Sequence, residues 1–185
     1  MLDLGTGDGR HVLATAAACP DRLAIGVDPA AAAMAEASRR AARRGGLPNA
    51  LFVAAAAEAL PAELDGIAAA LTVHFPWSSL LRGLLTADPS ILAGITRVTR
   101  PGATVTLLLS LTERDHVAGM ATLDDDAVAR LACRYVVYRL SLIEGHPATT
   151  AEVTASHSTW AKRLGAGARR PAWLLRFRRE DEGQR

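Results

Sequence analysis

Cysteine is scarce and poorly placed for metal binding. The two thiols, Cys19 and Cys133, stand far apart with no paired-ligand spacing. That excludes a zinc-cluster fold and points to small buried side chains in a reducing cytosol. Lysine is nearly absent: Lys162 is the only one among 21 basic residues, and the formal net charge is +2. Bulk charge therefore does not demand a nucleic-acid partner, and each arginine is read by position. No apolar run approaches the roughly 18 residues a membrane helix needs, and there is no signal peptide. His11, His74, His116, His146 and His157 are scattered, so no Ser/His/Asp or Cys/His arrangement offers a general base. Aromatics are few: three Trp, two Tyr and three Phe. Without repeats or an interdomain linker, residues 1–185 read as one domain, large enough to bury about 70% of its unfolded surface.

What is present is a glycine turn at the very start, Leu2-Asp3-Leu4-Gly5-Thr6-Gly7-Asp8-Gly9. It reads as a buried strand end, a turn able to take positive φ, and a helix from Arg10 to Cys19 that Pro20 stops. Such a junction in an open α/β sheet is the usual site for a nucleotide-like ligand. The dinucleotide fingerprint G-x-G-x-x-G is not what stands here. The pattern is D-x-G-x-G-x-G, with a carboxylate suited to an ammonium group rather than a cradle for pyrophosphate. The next strand, Leu23 to Val27, ends in Asp28, 19 residues past Gly9, where an acid meets ribose hydroxyls. Together these resemble motif I of the class I methyltransferases that use S-adenosylmethionine.

Further elements follow. Asp28-Pro29 opens a helix to Arg44, with Asp28 as N-cap, closed by Gly45-Gly46. Arg39, Arg40, Arg43 and Arg44 share one face of its last turns. Cations favour a helix C-terminus, yet four guanidiniums exceed that need and point to phosphate. Leu51 to Ala55 is strand three, with Ala57 and Glu58 at its end, where an acid can accept from an adenine amino group. Ile67 to Val73 is strand four, apolar throughout as in a buried parallel sheet. It leads into His74-Phe75-Pro76-Trp77-Ser78-Ser79-Leu80-Leu81-Arg82-Gly83, with Trp77 at the mouth of the site. Asp88-Pro89 caps a helix to Thr99. Strand five covers Ala103 to Leu111, Arg114 to Gly119 is a loop, Asp124 caps a helix through Ala132, and strand six covers Tyr135 to Ile143. The connection from Glu144 to Pro171 has Thr149 or Thr150 capping a short turn, then Ser158, Trp160, Lys162, Arg163, Arg169 and Arg170, before strand seven at Ala172 to Arg178. A connection that long inside one domain is usually functional or disordered, and a Trp with two basic pairs points to function here. The expected fold is α/β and Rossmann-like: a mostly parallel seven-stranded sheet with an antiparallel last strand. Strand one is expected to be truncated, since only Met1 to Leu4 precede the turn; either the true start lies upstream or a leading segment has been lost.

Four segments in order carry a closer resemblance: Asp3-Leu-Gly-Thr-Gly-Asp-Gly9, Gly45-Gly-Leu-Pro-Asn49, Pro76-Trp-Ser-Ser-Leu-Leu-Arg-Gly83 and Ser158-Thr-Trp-Ala-Lys-Arg-Leu164. They resemble the aminoglycoside-resistance 16S rRNA methyltransferases that modify N1 of adenine 1408 in the decoding site. The resemblance spans nearly the whole chain, except for the family's leading segment with its small hairpin. It implies S-adenosylmethionine as cofactor, held by Asp3, Gly5, Gly7, Gly9, Asp28, Pro29, Ala57, Glu58 and Val73. It implies that Trp77 and Trp160 clamp a flipped adenine, with Pro76 and Ser158 nearby. It also implies rRNA phosphate contacts from Arg39, Arg40, Arg43, Arg44, Arg163 and Arg170. The implied partner is the 30S subunit, met by a cytoplasmic monomer without DNA, membrane or metal. Two other readings stay open: a tRNA guanine N7 methyltransferase, whose motif after strand four also holds Phe, Pro and Trp, and a degenerate relative that binds cofactor or RNA without turnover.

Overall fold

The computed structural model describes residues 1–112, 115, 122–159, 161 and 170–181. Seven strands form one sheet in the order β3-β2-β1-β4-β5-β7-β6. They are β1 (Leu2–Leu4), β2 (Ala24–Asp28), β3 (Ala50–Ala54), β4 (Ala68–His74), β5 (Thr99–Leu109), β6 (Leu140–Pro147) and β7 (Trp173–Arg179). The helices are α1 (Arg10–Ala18), α2 (Ala31–Ala42), α3 (Ser78–Thr86), α4 (Pro89–Val98), α5 (Asp125–Tyr135) and α6 (Thr150–Ala155). Strands β3, β2, β1, β4 and β5 run parallel. Only β7 runs against its neighbours, pairing Leu109 with Trp173 on one side and Pro147 with Trp173 on the other. This is the expected mixed sheet.

The centre is apolar because its strands are covered on both faces. Leu2, Leu71, Val73, Val105, Leu107 and Leu109 are fully buried, as are Leu92, Ile95 and Val98 of α4. Although β1 has three residues, its ladder is extended: the Ile25 amide donates to the Met1 carbonyl at 2.9 Å, and the terminal ammonium to the Leu23 carbonyl at 2.8 Å. Asp88 caps α4 as expected, accepting from the Ser90 and Ile91 amides, and Asp124 caps α5 through the Ala127 amide. Thr149 and Glu152 form a reciprocal capping box on α6.

Three expectations need correction. Helix α2 is shorter than Pro29 to Arg44, and Asp28 is not its N-cap. One Asp28 oxygen accepts from the Ala30 amide at 2.8 Å and the other from the Gly7 amide at 2.9 Å, so the carboxylate is turned toward the glycine loop. The helix stops at Ala42, leaving Arg43 extended, so the four arginines do not share one helical face. Tyr135 does not open a strand. It closes α5, stacks on Phe177 with ring centroids 4.7 Å apart, and donates to the Leu84 carbonyl at 3.0 Å. Finally, Ser78 to Thr86 forms a helix that sequence analysis left unassigned. Gly83 lies within it because a Cβ there would stand 2.3 Å from Ile91 of α4, so the glycine permits close helix packing.

Candidate cofactor and target-base site

The cleft opens where β1, β2 and β4 end. Gly5, Gly7 and Gly9 all take positive φ, at 74°, 58° and 71°. The amides of Gly5 and Thr6 donate to the Val27 carbonyl at 2.8 and 3.1 Å, folding the turn back over β2. A Cβ on Gly7 would meet nothing within 4 Å, whereas one on Gly9 would stand 2.5 Å from the Phe52 ring and 2.8 Å from Ala37. Gly7 therefore faces open space for a ligand, and Gly9 serves packing between α1, α2 and β3. The cleft, about 190 Å³, is lined by Asp3, Gly5, Thr6, Gly7 and Asp8 from the turn, His11 from α1, His74 from β4, and Ser156 to Thr159 after α6.

Asp3 is buried, and one of its oxygens accepts from the Thr72 hydroxyl at 2.7 Å. His74 lies beside it, Nδ1 to Oδ1 3.9 Å, and its ring meets that of His11 edge-on at 4.4 Å. Burial pushes the His74 pKa down to about 4, with Asp3 opposing and His11 adding to the shift. The imidazole is neutral at pH 7. Among the described residues no Lys or Arg lines the cleft, so its two carboxylates favour a cationic ligand group there.

The expected residues fall into distinct places. Asp3, Gly5, Gly7 and Ser158 line the cleft. Asp28 abuts it through Gly7, with Pro29 exposed alongside. Glu58 is exposed on a short turn past β3, and Ala57 is buried there. The Val73 side chain belongs to the central core, away from the cleft. Pro76 is buried, and Trp77 is 64% exposed at the start of α3. It stands between two backbone positions held at positive φ, Phe75 at 50° and Ser78 at 55°, a cost proteins retain at sites where geometry matters. Trp160 and Arg163 lie outside the described residues. Arg170 is turned inward: its guanidinium pairs with Asp115 and donates to the Ser110 hydroxyl at 2.9 Å. That occupation argues against a phosphate contact.

Sequence reasoning missed His11 and His74, which no local pattern distinguishes from core histidines. It also missed Thr159, whose hydroxyl donates to Asp8 at 2.6 Å. Phe75, Ala161 and Ala172 share a small buried cluster with Leu108 and Leu174. That cluster joins the turn carrying Trp77 to the chain immediately following residue 160.

A sheet of this order, with an acid-glycine turn over its central strand and a second acid closing the turn from β2, has the class I methyltransferase fold. Residues 1–178 match the family model described as NpmA: 16S rRNA (adenine(1408)-N(1))-methyltransferase. The enzyme of that name from Streptoalloteichus tenebrarius is 37% identical over 172 residues, covering 89% of this chain and 79% of its own. Its counterpart from Streptoalloteichus hindustanus is 34% identical, covering 90% and 80%. Among solved structures, a mutant of the Catenulisporales acidiphilia enzyme with cosubstrate SAM superposes with a TM-score of 0.89 at 30% identity, covering 100% of this chain and 87% of that one. The 16S rRNA methyltransferase KamB gives 0.88 at 35%, covering 97% and 87%. The chain belongs to the 16S rRNA (adenine(1408)-N(1))-methyltransferase family.

Proposed function

We propose that this chain transfers the methyl group of S-adenosylmethionine to N1 of adenine 1408 in 16S rRNA of the 30S subunit, conferring aminoglycoside resistance. Family membership carries the reading, and the cleft fits it. Gly7 leaves open the space a Cβ would fill. Thr6 Oγ1 and His74 Nδ1 are buried without a partner, as groups awaiting a polar ligand are.

When bound, the cofactor supplies an electrophilic methyl on a sulfonium. Asp3 would hold the ammonium group, and Asp28 the ribose side of the Gly7 turn. Adenine N1 is a neutral nucleophile with a free lone pair at pH 7, so the chain need not remove a proton first. Its task is alignment, holding N1 about 3 Å from the methyl. Extruding a base from a helix costs a few kcal/mol, and stacking on an aromatic returns about 1–3 kcal/mol. Trp77, exposed where α3 begins, would be one such face, and Trp160 the other. Pro76 stiffens the first support, and Ser158 borders the second. The exposed Arg40, Arg43 and Arg44 would meet phosphates, setting register rather than base identity. The chain would act as a cytoplasmic monomer, its substrate being a large preassembled particle.

The test is primer extension on 16S rRNA from a sensitive host expressing the chain. A reverse-transcription stop at adenine 1408, together with aminoglycoside resistance, is the expected result. Full read-through with unchanged sensitivity would overturn the proposal, and a new stop elsewhere would reassign the target.

A further inference from the structure

We propose that Asp3, His11 and His74 form a site for a divalent cation of the zinc class at the floor of the cleft, and that this metal and the cofactor exclude each other. Each residue offers one ligand atom, and these atoms all lie within 4.8 Å of one another. His74 Nδ1 stands 3.9 Å from Asp3 Oδ1. Zinc takes imidazole nitrogen and carboxylate oxygen at about 2.0–2.2 Å, which places neighbouring ligands of a tetrahedral ion roughly 3.3 Å apart. Small side-chain rotations close that gap.

Two further observations point to a cation. The Nδ1 atoms of both His11 and His74 are buried with no hydrogen-bond partner. Buried polar atoms are almost always paired, and one ion would satisfy both. Asp3 is held by the Thr72 hydroxyl at 2.7 Å, the outer hydrogen bond that orients ligating carboxylates. Two imidazoles and one carboxylate suit zinc, nickel or copper better than magnesium or calcium.

A second acid-histidine group, Glu144, His146 and Glu152, is weaker. Arg176 pairs with Glu144, the Thr149 amide and hydroxyl both donate to Glu152, and both His146 nitrogens contact oxygen.

The exclusion rests on the proposed function, because it gives Asp3 to the ammonium end of the cofactor. The experiment is calorimetric titration of the chelator-stripped full chain with zinc chloride, with and without saturating S-adenosylhomocysteine. One zinc per chain is expected. Binding should be lost in His11→Gln and His74→Gln, weakened roughly 10–100-fold in Thr72→Val, and retained in His157→Ala. S-adenosylhomocysteine should raise the apparent Kd for zinc. Far-UV circular dichroism checks that each variant folds, and Thr72→Val, nearly isosteric, tests the site if a histidine variant does not. No saturable zinc uptake, or uptake that survives both histidine changes, would overturn the site. Histidine-dependent zinc indifferent to S-adenosylhomocysteine would support the metal site and overturn the placement of the ammonium on Asp3.

Discussion

The Thr159 hydroxyl donates a 2.6 Å hydrogen bond to the carboxylate of Asp8, across 151 positions of sequence. Asp8 belongs to the glycine turn, and Thr159 precedes Trp160. The bond therefore ties the cofactor loop to the segment proposed to hold the target base. Hydrogen bonds to a charged group contribute about 1.5–3 kcal/mol. Thr159→Val should lower kcat/KM for 30S subunits by at least tenfold while circular dichroism is unchanged and the unfolding temperature falls by only several degrees. Radiolabelled methyl transfer at varied subunit concentration reads the effect. Unaltered kcat/KM would make the contact merely structural.

Trp77 carries little of the fold, being 64% exposed. Trp77→Ala should leave thermal stability and cofactor affinity near wild type. If its ring stacks on the base, the lost face is worth about 1–3 kcal/mol, a fall of roughly 5–150-fold in methylation. A variant that methylates normally would remove Trp77 from the clamp.

Arg39 is already paired with Glu36 at 2.7 Å, whereas Arg43 and Arg44 follow the helix and are exposed. Replacing Arg40, Arg43 and Arg44 together should weaken 30S binding and reduce its log–log salt slope by about 2–3, near 0.7–0.9 per phosphate contact. Arg39→Ala alone should change the slope least. Filter binding across a salt series decides it, and an unchanged slope in the triple variant rejects the phosphate role.

His74 makes stability depend on pH in a defined direction. The folded protein takes up this proton near pH 4, the unfolded chain near 6.5. Between those values the unfolded state holds more protons, so stability rises with pH and is fully present above 6.5. The difference amounts to about 3 kcal/mol, at 1.36 kcal/mol per unit. In chelator, the unfolding temperature should fall from pH 7 to pH 4.5. The fall should be smaller in His74→Leu, which separates this group from the carboxylates titrating nearby. Equal falls in both proteins would show that His74 is not held neutral by the fold.

Two glycines of the same turn should respond differently. Gly9→Ala forces a Cβ into Phe52 and Ala37 at positive φ, costing about 2–4 kcal/mol. Gly7→Ala meets no atom within 4 Å, so it should cost only the conformational strain of about 1–2 kcal/mol and act chiefly on cofactor affinity. Thermal unfolding and calorimetry, run on both variants, distinguish the two roles.

Much of the architecture is legible in the sequence because it is written locally. Alternating glycines, the Asp88-Pro89 and Asp124 caps and the continuous apolar strands each announce themselves within a few residues. The misses have a common cause: long-range partners decide them. Asp28 resembles an N-cap until Gly7, 21 positions away, competes for its oxygen. Tyr135 looks like a strand residue, and its place in α5 follows from stacking on Phe177. Helix α3 is concealed by Gly83, which is there for Ile91 of α4. The glycine turn is readable as the edge of a cleft, whereas the convergence of Asp3, His11 and His74 is set by three separate elements meeting in space.

The reversal of β7 has a consequence of its own. Trp173 is aligned with Leu109 and with Pro147, so β6 delivers the chain to the same rim from which β7 departs. The connection between residues 147 and 173 therefore leaves and rejoins the sheet at a single rung. That connection can change in length without unpairing β7 from β5 or β6. Because residues 156 to 159 of that connection line the cleft, a change in it would reshape the cleft wall while every strand keeps its neighbours.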